Sequence, residues 1–141
     1  MMTPYKTLMK RGADEFLVSK SRFIGYGAPV ATDSEAVAFI HEIRVRHREA
    51  THNVYAYILG ANMGVMRYSD DGEPSGTAGM PVLEVLRARG VTNCCVVITR
   101  YFGGILLGAG GVHGGDAVGP VINPLRLVPL RIGGVTSLKG V

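Results

Sequence analysis

Between Tyr68 and Gly79 the chain reads Tyr68-Ser69-Asp70-Asp71-Gly72-Glu73-Pro74-Ser75-Gly76-Thr77-Ala78-Gly79, which places acids, hydroxyls and glycines just ahead of a helix. Three chemistries suit such a run. Asp70, Asp71 and Glu73 could ligate Mg²⁺, which takes carboxylate and water oxygens at octahedral geometry. The same acids suit the positive end of the following helix, and Asp-Gly and Pro-Ser-Gly are good turn formers. The amides from Gly76 to Gly79, at the start of that helix, could instead seat an anion such as a phosphate. Ser69, Ser75 and Thr77 do not form a hydrolase nucleophile. There is no Gly-x-Ser-x-Gly elbow, and spacing assigns them no base. His52, beside Asn53 at the start of a strand, is a hydrogen-bonding residue or a base, and a neighbour must decide which.

A second cluster is Arg100-Tyr101-Phe102, followed by a glycine-rich run from Gly103 to Gly111. The run lacks the Lys and Ser/Thr of a phosphate loop, and Gly-x-Gly-x-x-Gly fails at His113. The glycines suit tight turns or close approach to a partner. Arg100 with the two rings offers a cation and stacking surfaces for a nucleic acid, or, alternatively, core packing. Arg44, Arg46, His47 and Arg48 form a basic group that either complements a helix C-terminus as a solvated end or contacts an anionic partner.

The elements that must position these residues are legible from periodicity. Residues 4–9 and 14–30 read as extended, with turns at Gly12 and Ser19-Lys20. Thr32-Asp33-Ser34-Glu35 has capping-box spacing and predicts a helix over 33–49, with Ala36, Val37, Ile40, Ile43 and His47 on one face. His52 to Leu59 and Val65 to Tyr68 form a hairpin through Asn62-Met63-Gly64, and its end delivers the acidic loop. A second helix is expected over 77–89, with Val82, Val85, Leu86 and Arg89 on one face and Gly90 as its stop. The apolar run Cys94 to Thr99 suits a central strand covered on both faces and ending at Arg100. Uneven alternation of helices and hairpins predicts an α+β fold with a mixed sheet covered by helices.

Composition narrows the class. The 141 residues carry a net charge of +4 and are 47 % hydrophobic, as expected for one globular domain with a mild preference for anionic partners. No apolar run approaches the roughly 20 residues of a membrane span, and the start lacks the pattern of a secretory signal, so a cytoplasmic protein is expected. Cys94 and Cys95, adjacent in a strand, point to opposite faces and are expected to be reduced core residues; no Cys/His spacing suits zinc. No cofactor is expected.

Lys20-Ser21-Arg22-Phe23-Ile24, His52-Asn53, the Ser69 to Gly79 block, Thr99-Arg100-Tyr101-Phe102-Gly103-Gly104 and Leu107-Gly108-Ala109-Gly110-Gly111 together resemble the YigZ/IMPACT family over residues 4–111. The resemblance implies an N-terminal α+β domain similar to ribosomal protein S-five domain 2 and elongation factor G domain IV. It implies a cytosolic setting linked to translation: eukaryotic relatives compete for the co-activator of the general amino-acid control kinase, and for the largely uncharacterised bacterial relatives nucleic-acid or ribosome binding is proposed. The binding residues it marks are Arg22, His52, Asp70, Asp71, Glu73, Ser75, Thr77, Arg100 and Tyr101.

Residues 1–111 are accordingly expected to form the family-type domain. At 112–141 the chain departs from the family pattern: Val112-His113-Gly114-Gly115-Asp116 replaces Leu-Val-Arg-Ala-Tyr, Pro120, Pro124 and Pro129 disfavour a long helix, and the ferredoxin-like C-terminal domain of bacterial relatives is expected to be missing. A frame-shifted or truncated end is the expectation. The functional expectation is a non-enzymatic binding module of translation or stress response that contacts RNA, the ribosome or a ribosome-associated protein. The alternative is a Mg²⁺-dependent hydrolase or phosphoryl-transfer enzyme using Asp70, Asp71, Glu73 and His52.

Overall fold

The computed structural model describes residues 5–18, 20–102 and 135–138. In chain order the elements are β1 (Tyr5–Leu8), β2 (Gly12–Val18), β3 (Ser21–Pro29), α1 (Asp33–Arg46), β4 (His52–Leu59), β5 (Val65–Ser69), α2 (Gly79–Ala88), β6 (Cys94–Phe102) and β7 (Val135–Leu138). β1 pairs with β7, while the main sheet has five strands in the order β2-β3-β6-β4-β5.

The fold is α+β, but the five-stranded sheet is antiparallel throughout rather than mixed. The reason lies in how β6 is inserted. The β2–β3 and β4–β5 hairpins are antiparallel because their short turns leave no alternative. β6 then enters between the hairpins and runs opposite to both β3 and β4. Its continuous apolar run arises because α1 and α2 cover opposite faces. Cys94, Val96 and Ile98 join Val54, Ala56 and Ile58 of β4 against Val82, Leu83 and Leu86 of α2. Cys95 and Val97 join Tyr57 and Leu59 against Ala36, Phe39, Ile40 and Ile43 of α1. The two cysteines are free and buried on opposite faces, as expected, and burial pushes both thiols up, Cys94 to about 12.

Local chemistry sets the helix ends. Thr32 caps α1 by accepting the Glu35 N–H at 3.2 Å, while the Glu35 carboxylate accepts from the Ala31 N–H at 2.9 Å. The helix stops at Arg46, short of residue 49, because His47 leaves helical geometry (φ −117°, ψ 51°) as its ring is held by two tyrosines of the sheet. Val37, expected on the buried face, is 56 % exposed, and Phe39 packs there instead. α2 begins at Gly79 rather than residue 77, because Thr77 turns back onto the Pro74 carbonyl through both its N–H and its hydroxyl. Arg89, expected on the buried face, is exposed beyond the last turn, and Leu83 takes the inward position.

β6 continues through Phe102, so Arg100 and Tyr101 are strand residues fixed by pairing with Phe23 and Arg22 of β3. No helix among the described residues is long and apolar enough to cross a membrane. The glycine-rich run 103–111 and the tail to residue 134 lie outside the described residues, as do residues 139–141.

Candidate functional site

The loop between β5 and α2 is organised around Asp70. Its Oδ2 accepts the Gly76 N–H at 2.8 Å, and its Oδ1 accepts those of Ala78 at 3.2 Å and Gly79 at 2.8 Å. The Thr77 N–H donates to the Pro74 carbonyl at 3.0 Å. The helix start is thus neutralised by a carboxylate of the chain itself, the favourable sign for that end of a helix dipole. Two glycines make this closure possible. Gly76 sits at φ +78°, a left-handed conformation that side chains disfavour, and a Cβ on Gly79 would stand 2.6 Å from the Ser69 carbonyl oxygen.

The other two acids face elsewhere. Asp71 Oδ2 accepts the Asn53 N–H at 2.7 Å, and its Oδ1 accepts from Arg44 Nη2 at 3.2 Å. The His52 Nδ1–H donates to the Asp71 carbonyl at 2.7 Å, which fixes the ring so that Nε2 lies 3.7 Å from Glu73 Oε1. Glu73 accepts from Arg100 Nη1 at 2.8 and 2.9 Å, with side-chain exposures of only 6 % for Glu73 and 4 % for Arg100. Ser21 Oγ accepts from Arg100 Nε and Nη2, and the guanidinium carbon lies 5.5 Å from the Phe23 ring centroid and 4.8 Å from that of Phe102. A buried charge needs its partner, so this pair clamps the loop to the central strand.

These partners overturn two expectations. The amides from Gly76 to Gly79 are occupied by Asp70 and Pro74 and do not form an anion seat. The three carboxylates do not converge: Asp70 turns to amides, Asp71 to Asn53 and Arg44, and Glu73 to Arg100. Among the described residues no group of three His, Cys, Asp or Glu side chains is placed to hold a metal. The expected Mg²⁺ chemistry therefore lacks its ligand set among the described residues, and His52 Nε2 faces the Glu73 carboxylate. Ser75 is exposed on the loop and Thr77 is half-buried. Arg100 is buried, with its guanidinium on Glu73 and Ser21.

Arg22 and Tyr101 belong to a different place, an end of the α1 face that no helix among the described residues covers. There a continuous chain of contacts runs across three elements. The Arg22 guanidinium carbon lies 5.6 Å from the Tyr101 ring centroid, and the Tyr101 hydroxyl bonds His47 Nδ1 at 2.6 Å. His47 Nε2 bonds the Tyr26 hydroxyl, and Arg46 lies 5.4 Å from the Tyr26 ring centroid. Arg44 adds a third such contact, 5.9 Å from Tyr55. These separations lie within the range of cation–ring attraction. Burial first, and then the positive charges of Arg46 and Arg22, hold the His47 imidazole below its ordinary value. Burial likewise raises the Tyr101 phenol, so Tyr101 enters as a neutral hydroxyl. Glu15 pairs with Arg22, and Glu42 with Arg46, leaving both guanidiniums about half exposed.

Of the candidates from the sequence, His52, Asp70, Asp71, Glu73 and Arg100 are brought together as a structural clamp, and Arg22 and Tyr101 as part of this surface. Tyr26, Tyr55 and the organising role of His47 escaped the sequence reading. Arg22 and Tyr26, four apart on one strand, share a face, and that spacing is the signal that points to them.

An α+β domain with a clamped acidic loop and an arginine–tyrosine surface is the class that fold and site define. The chain belongs to the IMPACT family: the Impact N-terminal domain model matches residues 19–119. It is 50 % identical over 134 residues to the IMPACT family member YvyE of Bacillus subtilis (strain 168), covering 94 % of this chain and 62 % of that protein. It is 43 % identical over 97 residues to the IMPACT family member YigZ of Escherichia coli (strain K12), covering 67 % of this chain and 48 % of that protein. A crystal structure of a hypothetical protein superposes with a TM-score of 0.81 at 28 % identity, over 99 % of this chain and 66 % of that one. The chain thus spans less than two thirds of the length of these curated relatives.

Proposed function

We propose that this domain is a non-enzymatic binding module that contacts single-stranded RNA through the Arg22–Tyr101–His47–Tyr26–Arg46 surface. The observation that carries this reading is that contact chain. It sets guanidiniums beside tyrosine rings on a half-exposed face, the combination that tracks a phosphate backbone while offering flat surfaces to bases. A guanidinium has five donors in a fixed fork, so a single carboxylate partner such as Glu15 leaves donors for a phosphate oxygen. The net charge of +4 favours the same class of partner.

Enzymatic phosphoryl chemistry is the weaker reading, because every acid it would need is engaged by the fold. The expected likeness to ribosome-associated domains and the link to translation rest on family resemblance, a fold-level analogy that names a setting and not a site. The RNA would then be ribosomal or ribosome-bound.

Fluorescence-anisotropy titration of a single-stranded oligoribonucleotide across a salt series tests the proposal. Affinity should fall linearly on a log–log plot, with a slope of about −0.7 per phosphate neutralised. An RNA affinity indifferent to salt, or none at all, would exclude phosphate recognition and leave a protein partner for this face.

A further inference from the structure

Beside the arginine–tyrosine surface, between α1 and the β2–β3 hairpin, lies a groove of about 320 Å³. Its floor is small by sequence. Gly12 pairs with Gly27 across the hairpin and Ala13 follows on the same strand, so little side-chain bulk rises from these three positions. The two walls are aromatic rings, each with a guanidinium over it. Arg11 lies 4.9 Å from the Phe39 ring centroid, and Arg46 lies 5.4 Å from that of Tyr26. Glu42 holds both cations in place. Its carboxylate accepts from Arg11 at 2.8 and 3.0 Å and from Arg46 at 3.2 Å. Two cations against one carboxylate leave the rim net positive.

We infer that this groove receives one nucleotide of the single-stranded RNA, its base between the two guanidinium–ring stacks and its phosphate on Arg46 or Arg11. The inference rests on the RNA-binding reading and extends it, since Tyr26 and Arg46 belong to both surfaces. The volume fits. It lies at the lower end of the about 300–1,000 Å³ typical of small-ligand sites, room for a single ring system rather than a duplex. Flat guanidinium and aromatic surfaces are what an unstacked base meets in single-strand recognition, with little preference among bases. Glu42 both orients the arginines and competes with the phosphate for them, so removing its charge should help the ligand.

The test uses the full chain and a uridine decamer. Ala13 is an exposed strand residue lining the groove, so Ala13→Trp fills the space from outside the core. It should weaken RNA binding by about fivefold or more, the loss expected when one stacked base is displaced. Glu42→Gln should tighten binding. If Ala13→Trp binds like the parent chain while Arg22→Ala loses affinity, the groove is empty and the surface reading survives. If the parent chain binds no RNA, the surface reading itself falls. Should Ala13→Trp misfold, a titration of the parent chain with uridine monophosphate followed by amide chemical shifts decides. Shifts at Gly12, Ala13 and Gly27 that inorganic phosphate alone does not reproduce would support the groove, and their absence would overturn it.

Discussion

The acidic loop after β5 and the arginine face at the end of α1 both concentrate charge, yet their charges are treated in opposite ways. In the loop each acid is bound by a partner of the fold, and although Asp71 stays partly exposed, Glu73 and Arg100 are almost fully removed from water. On the face the ion pairs Arg22–Glu15 and Arg46–Glu42 stay about half exposed, where their mutual attraction is weak and solvent-screened. A charged motif that looks chemical in sequence is therefore a structural device in one place, and a solvent-exposed surface in the other. The two are physically joined, since Arg44 contacts Tyr55 of the face and Asp71 of the loop.

The contrast is sharpest for the buried pair. Glu73→Ala leaves the Arg100 guanidinium buried without its carboxylate, and should cost about 3–5 kcal/mol of unfolding free energy in urea titration. A cost below about 1 kcal/mol would make the loop an ordinary surface turn and break the comparison. Asp70→Ala strands the amides of Gly76, Ala78 and Gly79, and should cost about 2 kcal/mol, at the upper end for a helix cap.

Smaller still is the pH effect at His47. Its imidazole binds a proton less readily folded than unfolded, because burial and two arginines oppose the charge. Stability present above the ordinary value of 6.5 should therefore decline as pH falls below it, toward the depressed folded value. His47→Gln, which can still bond a tyrosine hydroxyl, should flatten that part of a stability-against-pH curve. An unaltered curve would mean that His47 carries no such strain.

Sequence periodicity resolved much of the fold. The hairpin turns at Lys20 and Met63, both at positive φ, the Thr32 cap and the doubly covered β6 all follow from local chemistry. The antiparallel sheet was not legible, because insertion of β6 between two hairpins is a tertiary event that no local pattern records. The candidate site divided along the same line. The spacing of Asp70, Asp71 and Glu73 suits capping, an anion seat or a metal alike, because the partners of Asp71 and Glu73 are Asn53, Arg44 and Arg100, residues far away in sequence. Nothing in the spacing shows that Asp70 folds back onto the amides of the helix start. Tyr26 and His47 meet only when α1 closes over the sheet.

The division of labour rests most directly on one comparison: the affinity of a single-stranded oligoribonucleotide for the parent chain and for Arg22→Ala/Arg46→Ala, with unfolding free energy measured on the same samples. Both arginines are about half exposed, so stability should change by no more than about 1 kcal/mol, while affinity should fall about tenfold or more. Unchanged affinity in a variant that folds as well as the parent chain would contradict the account.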